Sequence, residues 1–261
     1  MREGGHGRMR PALEGQNIMR ISWSLGHWRP AMRHLADPSS VAITVDDAPM
    51  PDTMPEMLDL LDRFDAKATF FMSGCRAVLA DELVAETVRR GHAVYAHGWD
   101  HIRLDRESPR RLRDDMERCE ALLARHRPTP EPYLVRLPYN GGWRNSRVHR
   151  TLARWRPGCA VVHWGPSTED HMISTRCAAP EQVEPECRRE VERLMADPRL
   201  PGGIILMHDQ PINDRPGGPF KPAVTVTLLR LLLEGLAEKG LASVILPPPP
   251  PQGWWRRFAL T

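Results

Sequence analysis

Short apolar, β-branched runs alternate with longer amphipathic stretches along most of the chain. The runs are Val41–Val45, Ala68–Met72, Ala93–Ala96, Tyr133–Leu137, Ala160–Trp164, Gly203–Met207 and Ala242–Leu246. Each has the length of a buried parallel strand. Between them the apolar positions recur at helical spacing. Met57, Leu58, Leu61 and Phe64 form one stripe, and Leu112, Met116, Cys119 and Leu123 another. "TMPE" at Thr53–Glu56 reads as a capping box with Pro55 near the first helical position. Ser108-Pro109 opens a second helix, and Gly91 and Gly240 close the helices over 80–90 and 223–239. Weaker periodicity predicts helices over 145–155 and 181–196, the latter starting late because of Pro185.

Seven strands alternating with helices imply parallel βαβ units, in an open doubly wound sheet or a closed (β/α) barrel. No G-x-G-x-x-G or P-loop follows any strand, which counts against a nucleotide-binding sheet. Three stretches fall outside the alternation: an arm rich in Arg and Trp at 1–40, a turn-rich loop at 209–222, and a tail at 247–261. The tail begins as a polyproline spacer and ends in an amphipathic tip expected to pack on the domain. The catalytic domain is therefore expected over 41–246.

Composition narrows the partners. The chain has 261 residues and a net charge of +3, from 36 basic and 33 acidic residues, too balanced for a nucleic-acid binder. No run of about 18 apolar residues exists to span a membrane. The N-terminal stretch carries charge but no apolar segment of the secretory type. The five cysteines are odd in number and form no C-x-x-C, which predicts reduced thiols and a cytoplasmic protein.

The reactive side chains collect at strand ends. Asp46 and Asp47 follow the first run, "HGWDH" (His97 to His101) the third, and Arg136 and "PYN" the fourth. Trp164 ends the fifth, with Ser167 and Asp170 beyond it, and His208 and Asp209 end the sixth. Each alone has an ordinary explanation as a turn, a cap or a satisfied core group. In a parallel α/β protein, however, all these ends lie on one face, which carries the active site. Histidines four apart can share one face of a helical turn, as in zinc sites. Two imidazoles and one carboxylate suit Zn²⁺, with Co²⁺ or Ni²⁺ able to substitute. One of the adjacent aspartates would then sit on the metal and the other on a water. Arg136 would hold the base ionised, and His208 would protonate the leaving group.

These residues resemble the five motifs of the polysaccharide deacetylases, the NodB-homology domain of carbohydrate esterase family 4, over about Val41 to Leu246. "TVDDAP" is similar to T-F-D-D-G-P, which implies Asp46 as catalytic base and Asp47 as metal ligand. "HGWDH" is similar to H-[ST]-x-x-H, which makes His97 and His101 the other ligands. "RLPY" is similar to R-x-P-Y, with Arg136 orienting Asp46 and the Tyr139 N–H facing the oxyanion. "WGPSTEDH" is similar to W-S-x-D-x-x-D-W, so that Asp170 orients the acid. "LMH" is similar to L-x-H, with His208 as the acid and Leu206 in the acetyl-methyl pocket. The resemblance implies a distorted (β/α)7 barrel with parallel strands. Ala48 stands for Gly, Gly98 for Ser/Thr, Ser167 for the first Asp of the fourth motif, and His171 for its Trp. Support for the metal loop at Gly98 must therefore come from elsewhere.

The implied substrate is a small glycosylated molecule bearing an N-acetylglucosaminyl group. Trp99, Trp143 and Trp164 near the expected rim suit a bulky aromatic aglycone as well as sugar rings. With no export signal, the chain is similar to the deacetylases of teicoplanin-type glycopeptide antibiotic biosynthesis, which act on a pseudoaglycone. The alternatives are a chitooligosaccharide or peptidoglycan-precursor deacetylase, a non-catalytic metal-dependent carbohydrate-binding protein, and a hydrolase of small cyclic amides or formamides.

Overall fold

The elements run β1 (Ala31–Met32), β2 (Ser40–Ala48), α1 (Met54–Arg63), β3 (Ala68–Met72), α2 (Gly74–Ala77), α3 (Asp81–Arg89), β4 (Ala93–Ala96), α4 (Pro109–Leu123), β5 (Leu134–Val135), α5 (Ser146–Trp155), β6 (Ala160–Val162), α6 (Asp170–Arg176), α7 (Val183–Met195), β7 (Ile204–His208), α8 (Lys221–Glu238) and β8 (Ala242–Ser243). This computed structural model describes residues 31–210 and 220–248. Residues 1–30 of the expected arm, 211–219 of the expected loop and 249–261 of the expected tail lie outside the described residues.

All strand pairs are parallel. One sheet has the order β4-β3-β2-β7, with β8 also on β2, and the other has the order β1-β6-β5. At one seam between them, Gly165 N–H donates to the Ile204 carbonyl at 3.1 Å and Leu206 N–H to the Pro166 carbonyl at 3.1 Å. At the other, the Ala96 N–H donates to the Tyr133 hydroxyl at 2.9 Å, where ladder bonds would otherwise run. The strands expected of a distorted (β/α)7 barrel are thus present as two arcs.

Strand β2 is buried along its whole length, flanked by β3 and β7, which is why its sequence is mostly apolar up to its carboxylates, with the Thr44 hydroxyl hydrogen-bonded. Helix α8 is apolar almost all round, with Leu228, Leu229, Leu231, Leu232, Leu233 and Leu236 buried. Each such leucine contributes about 1.5–3 kcal/mol by leaving water. Gly91 and Gly240 take φ values of +80° and +67° after α3 and α8, the left-handed stop expected of them. Ser108 caps α4 by accepting the Arg111 N–H at 3.2 Å.

Two expectations need correction. Thr53 precedes α1 but makes no capping bond; its hydroxyl donates instead to the Asp209 carboxylate. The distant buried acceptor wins over the local N–H groups. The expected arm, moreover, does not stay outside the fold over 31–40: β1 pairs with β6, and Leu35 is buried. A two-residue strand carries no period of its own, so only the partner strand reveals it.

Candidate active site

Strand alternation would send Asp46 and Asp47 to opposite faces of the sheet. A bulge prevents this. Asp46 pairs with Phe71 and Ala48 with Met72, so Asp47 is the extra residue, and its φ of +67° turns it toward the same mouth. Three carbonyls around the bulge are held in place. Asp209 N–H donates to the Asp46 carbonyl at 2.9 Å, and Ser73 N–H donates to the Ala48 carbonyl at 3.0 Å. Arg76 Nη1 donates to the carbonyls of both Asp47 and Asp209, at 2.7 Å each.

Asp46 faces a buried guanidinium. Arg136 Nη1 donates to Asp46 Oδ1 at 2.8 Å and to Thr44 Oγ1 at 2.7 Å, and Thr44 Oγ1 in turn donates to the Ile205 carbonyl at 2.6 Å. Arg136 is also packed on aromatic faces, with its Cζ 4.5 Å from the Phe71 ring and 5.5 Å from that of Trp164. Its charge and its plane are both fixed.

Asp47, His97 and His101 bring ligand atoms within 4.8 Å of one another. Asp47 Oδ1 lies 3.5 Å from His97 Nε2 and 3.0 Å from His101 Nε2. His97 Nδ1 donates to the Arg136 carbonyl at 2.8 Å; a carbonyl only accepts, so the Nε2 lone pair is left for the site. Burial pushes the His97 imidazole down toward its neutral form, against Asp46 and Asp47. Burial works the other way on Asp47, but the His101 hydrogen bond and the charges of His208, His101 and His97 hold its carboxyl well below the usual range. Two imidazoles and one ionised carboxylate, all buried, fit a divalent ion.

The ligands are not on a helical turn, contrary to expectation. Residues 97–101 form no helix: Gly98 and His101 take φ values of +84° and +52°. The loop is tied down from both sides. Gly74 N–H and Cys75 N–H, at the start of α2, donate to the carbonyls of Gly98 and Trp99 at 2.9 Å each. Asp115 Oδ1 accepts the Trp99 N–H at 2.6 Å. A Cβ at Gly98 would sit 3.0 Å from Leu104 Cδ1 and 3.1 Å from that same Asp115 oxygen. The support missing at Gly98 therefore comes from α2 and Asp115.

Opposite the triad, Asp170 Oδ1 accepts from His208 Nδ1 at 2.8 Å, while Oδ2 accepts the His208 backbone N–H. This fixes the imidazole with Nε2 free of Asp170. Burial alone would lower His208, but the Asp170 carboxylate, its hydrogen bond, and the charges of Asp47 and Asp46 raise it to about 10. Asp170 itself is held well below the usual carboxylate range: burial raises it, and His208 and the bonds from His171 and His208 outweigh burial.

A model of the polysaccharide deacetylase family matches residues 35–155. A chitooligosaccharide deacetylase of Sinorhizobium fredii is 32% identical over 230 residues, covering 85% of this chain and 97% of that protein. A peptidoglycan-N-acetylglucosamine deacetylase of Bacillus cereus is 29% identical over 200 residues, covering 77% of this chain and 83% of its own. The crystal structure of the Bc1960 peptidoglycan N-acetylglucosamine deacetylase superposes with a TM-score of 0.63 at 25% identity, covering 80% of this chain and 86% of that one. The chain belongs to the polysaccharide deacetylase family.

In this member of the family, most of the residues singled out by sequence meet at one mouth: Asp46, Asp47, His97, His101, Arg136, Asp170 and His208. Leu206 pairs with Thr44 on the same ladder, two residues before His208 and so on its face. The Tyr139 ring lies 4.6 Å from that of His101, on a residue with φ of +57°. Trp164 and Trp143 form a wall on either side of His163. Trp99 does not join them. Its indole fills the slot over Gly74, where a Cβ would come within 2.4 Å of it, and Arg118 covers it at 3.6 Å. Sequence reasoning missed the roles of Arg76, Thr53 and Asp115. Each acts through a partner distant in the chain, and no local pattern marks it.

Proposed function

We propose that the protein is a metal-dependent N-deacetylase that hydrolyses the acetamide of an N-acetylglucosaminyl group. One observation carries this reading. A carboxylate fixed by Arg136 and an imidazole fixed by Asp170 flank a buried His-His-Asp triad. The relatives' action on chitooligosaccharides and peptidoglycan supports it.

A divalent ion held by Asp47, His97 and His101, with Zn²⁺ the best match to that donor set, would supply Lewis acidity. The chain's own residues move the protons. Asp46 takes a proton from the attacking water as its oxygen bonds to the acetamide carbon. The carbonyl becomes an oxyanion, which the Tyr139 backbone N–H is assigned to stabilise. His208 then gives its proton to the nitrogen as the C–N bond breaks, releasing acetate and a free amine. Without that proton the leaving group would be an amide anion, which is why a histidine protonated near neutral pH is needed.

For the acceptor, we favour a glycopeptide antibiotic pseudoaglycone in the cytoplasm, on the strength of the Trp143–His163–Trp164 aromatic cluster next to Arg136. Chitooligosaccharides or peptidoglycan precursors are the second reading, favoured by the relatives. Mass spectrometry of metal-loaded protein with each substrate, beside chelator-treated controls, separates the two. Metal-dependent loss of acetyl from the glycopeptide alone supports the first and from oligosaccharides the second; loss from neither refutes the deacetylase reading.

A further inference from the structure

The wall beside Arg136 carries more positive charge than hydrolysis requires. Trp164 lies against Arg136, the His163 ring lies 4.6 Å from Trp164, and Trp143 stacks on His163 at 4.2 Å with the planes 11° apart. Two further guanidinium groups then meet the Trp143 ring, Arg144 at 4.1 Å and Arg33 at 5.6 Å. The topology explains how they meet. Met32 and Val162 are register partners, so Arg33 leaves β1 beside the point where His163 leaves β6. Trp143 and Arg144 come from the segment between β5 and α5. All lie beyond the C-terminal ends of parallel strands, on the face that holds the triad.

Two guanidinium groups on one ring set this cluster apart. Arg156 and Arg103 also lie against aromatic rings, yet each has a carboxylate partner, Glu117 at 2.8 Å and Asp105 at 2.9 Å, and Arg118 lies on Trp99 without a second guanidinium among the described residues. Among the described residues Arg144 makes no ion pair. Burial pushes His163 down to about 4, and Arg33, Arg136 and Arg144 push in the same direction, with no acid among the described residues opposing them. His163 Nδ1 is buried and has no hydrogen-bond partner among the described residues. A guanidinium lying on an indole keeps its in-plane N–H edge available, the geometry that receives an oxyanion through two bonds.

We infer that Arg33, Arg144 and His163, framed by Trp143, form an oxyanion subsite for a carboxylate or phosphoryl group borne by the saccharide substrate. The inference rests on the saccharide-deacetylase reading and adds a charge preference to it. The Trp164 ring separates this subsite from Arg136, so the anion belongs to the substrate beyond the reacting N-acetyl group.

The test is calorimetric titration of the metal-loaded protein with three disaccharides: neutral N,N′-diacetylchitobiose, its phosphorylated form, and N-acetylglucosamine linked to a hexuronate. At low salt, one or both anionic sugars should bind about tenfold more tightly than the neutral one. Which of them does so identifies the phosphoryl or the carboxylate source. That ratio should fall toward one in Arg144→Gln, an exposed position, and in Arg33→Gln. It should persist in Arg150→Gln, an exposed change of equal charge on α5. Equal affinities for all three sugars, or a preference that survives Arg144→Gln, would overturn the inference. Release of acetate from N,N′-diacetylchitobiose is scored separately. Turnover without the affinity preference removes the subsite alone, and preference without turnover on any sugar removes the deacetylase reading alone.

Discussion

Asp46 and His208 are direct register partners on the β2–β7 ladder, so adjacent strands bring a carboxylate and an imidazole to the same level of the site. With Asp46 as the base, Asp46→Asn keeps the shape and removes the basicity. Turnover should fall by roughly 10²–10⁴-fold while bound metal, measured by elemental analysis, stays near wild type. Turnover within a few-fold of wild type would exclude Asp46 as the base.

The pH profile should report His208. Its proton is required for amine departure and is held to about 10, so activity should persist below that value and be lost as pH rises through it. Asp170→Asn removes the charge that raises His208. The alkaline limb of kcat/KM should then move to lower pH, and a limb that stays in place would detach Asp170 from the acid.

His97→Ala and His101→Ala should each lose metal and activity together. Chelation of the wild type should do the same, with Zn²⁺ restoring turnover. Full metal occupancy in either variant would refute the ligand assignment.

Restoring the family's hydroxyl at Gly98 should harm this protein. Gly98→Ser places a side chain at φ +84° and against Leu104 and Asp115. The backbone strain alone costs about 1–3 kcal/mol. Thermal unfolding should show a lower Tm, and chelator competition should show weaker metal binding. A gain in both would mean that Asp115 does not substitute for the hydroxyl.

Arg76→Ala removes the shared donor from the Asp47 and Asp209 carbonyls. Leaving each carbonyl short of a partner costs about 1–3 kcal/mol. Because the bulge at Asp47 loosens, metal affinity should weaken by about 10–100-fold, with partial rescue in Arg76→Lys. Unchanged metal affinity would confine Arg76 to a structural role.

Much of this site is legible in the chain because strand ends are local features. Ala68–Met72 and Ala93–Ala96 stand as strands at the residues their composition marks. The end of Ala93–Ala96 places His97 without further information. What stays hidden is long-range. The bulge at Asp47 shows only in the pairing of β2 with β3. "HGWDH" has helical spacing, yet its path is set by α2 and Asp115, neither adjacent to it. "TMPE" has the residues of a capping box, but Asp209 claims the hydroxyl. Trp99 reads as a rim aromatic until Gly74 reveals the slot that holds it.

The pairing of β1 with β6 also determines how far the protein can be shortened. With β1 in place, β6 is an interior strand bounded by β5 on its other side. A chain trimmed to begin at Val41 would keep every catalytic group and strip one side of β6. The newly bare backbone amides and carbonyls would form an open sheet edge able to recruit a second molecule. Such a fragment would be expected to aggregate or swap strands between copies rather than persist as a smaller monomer.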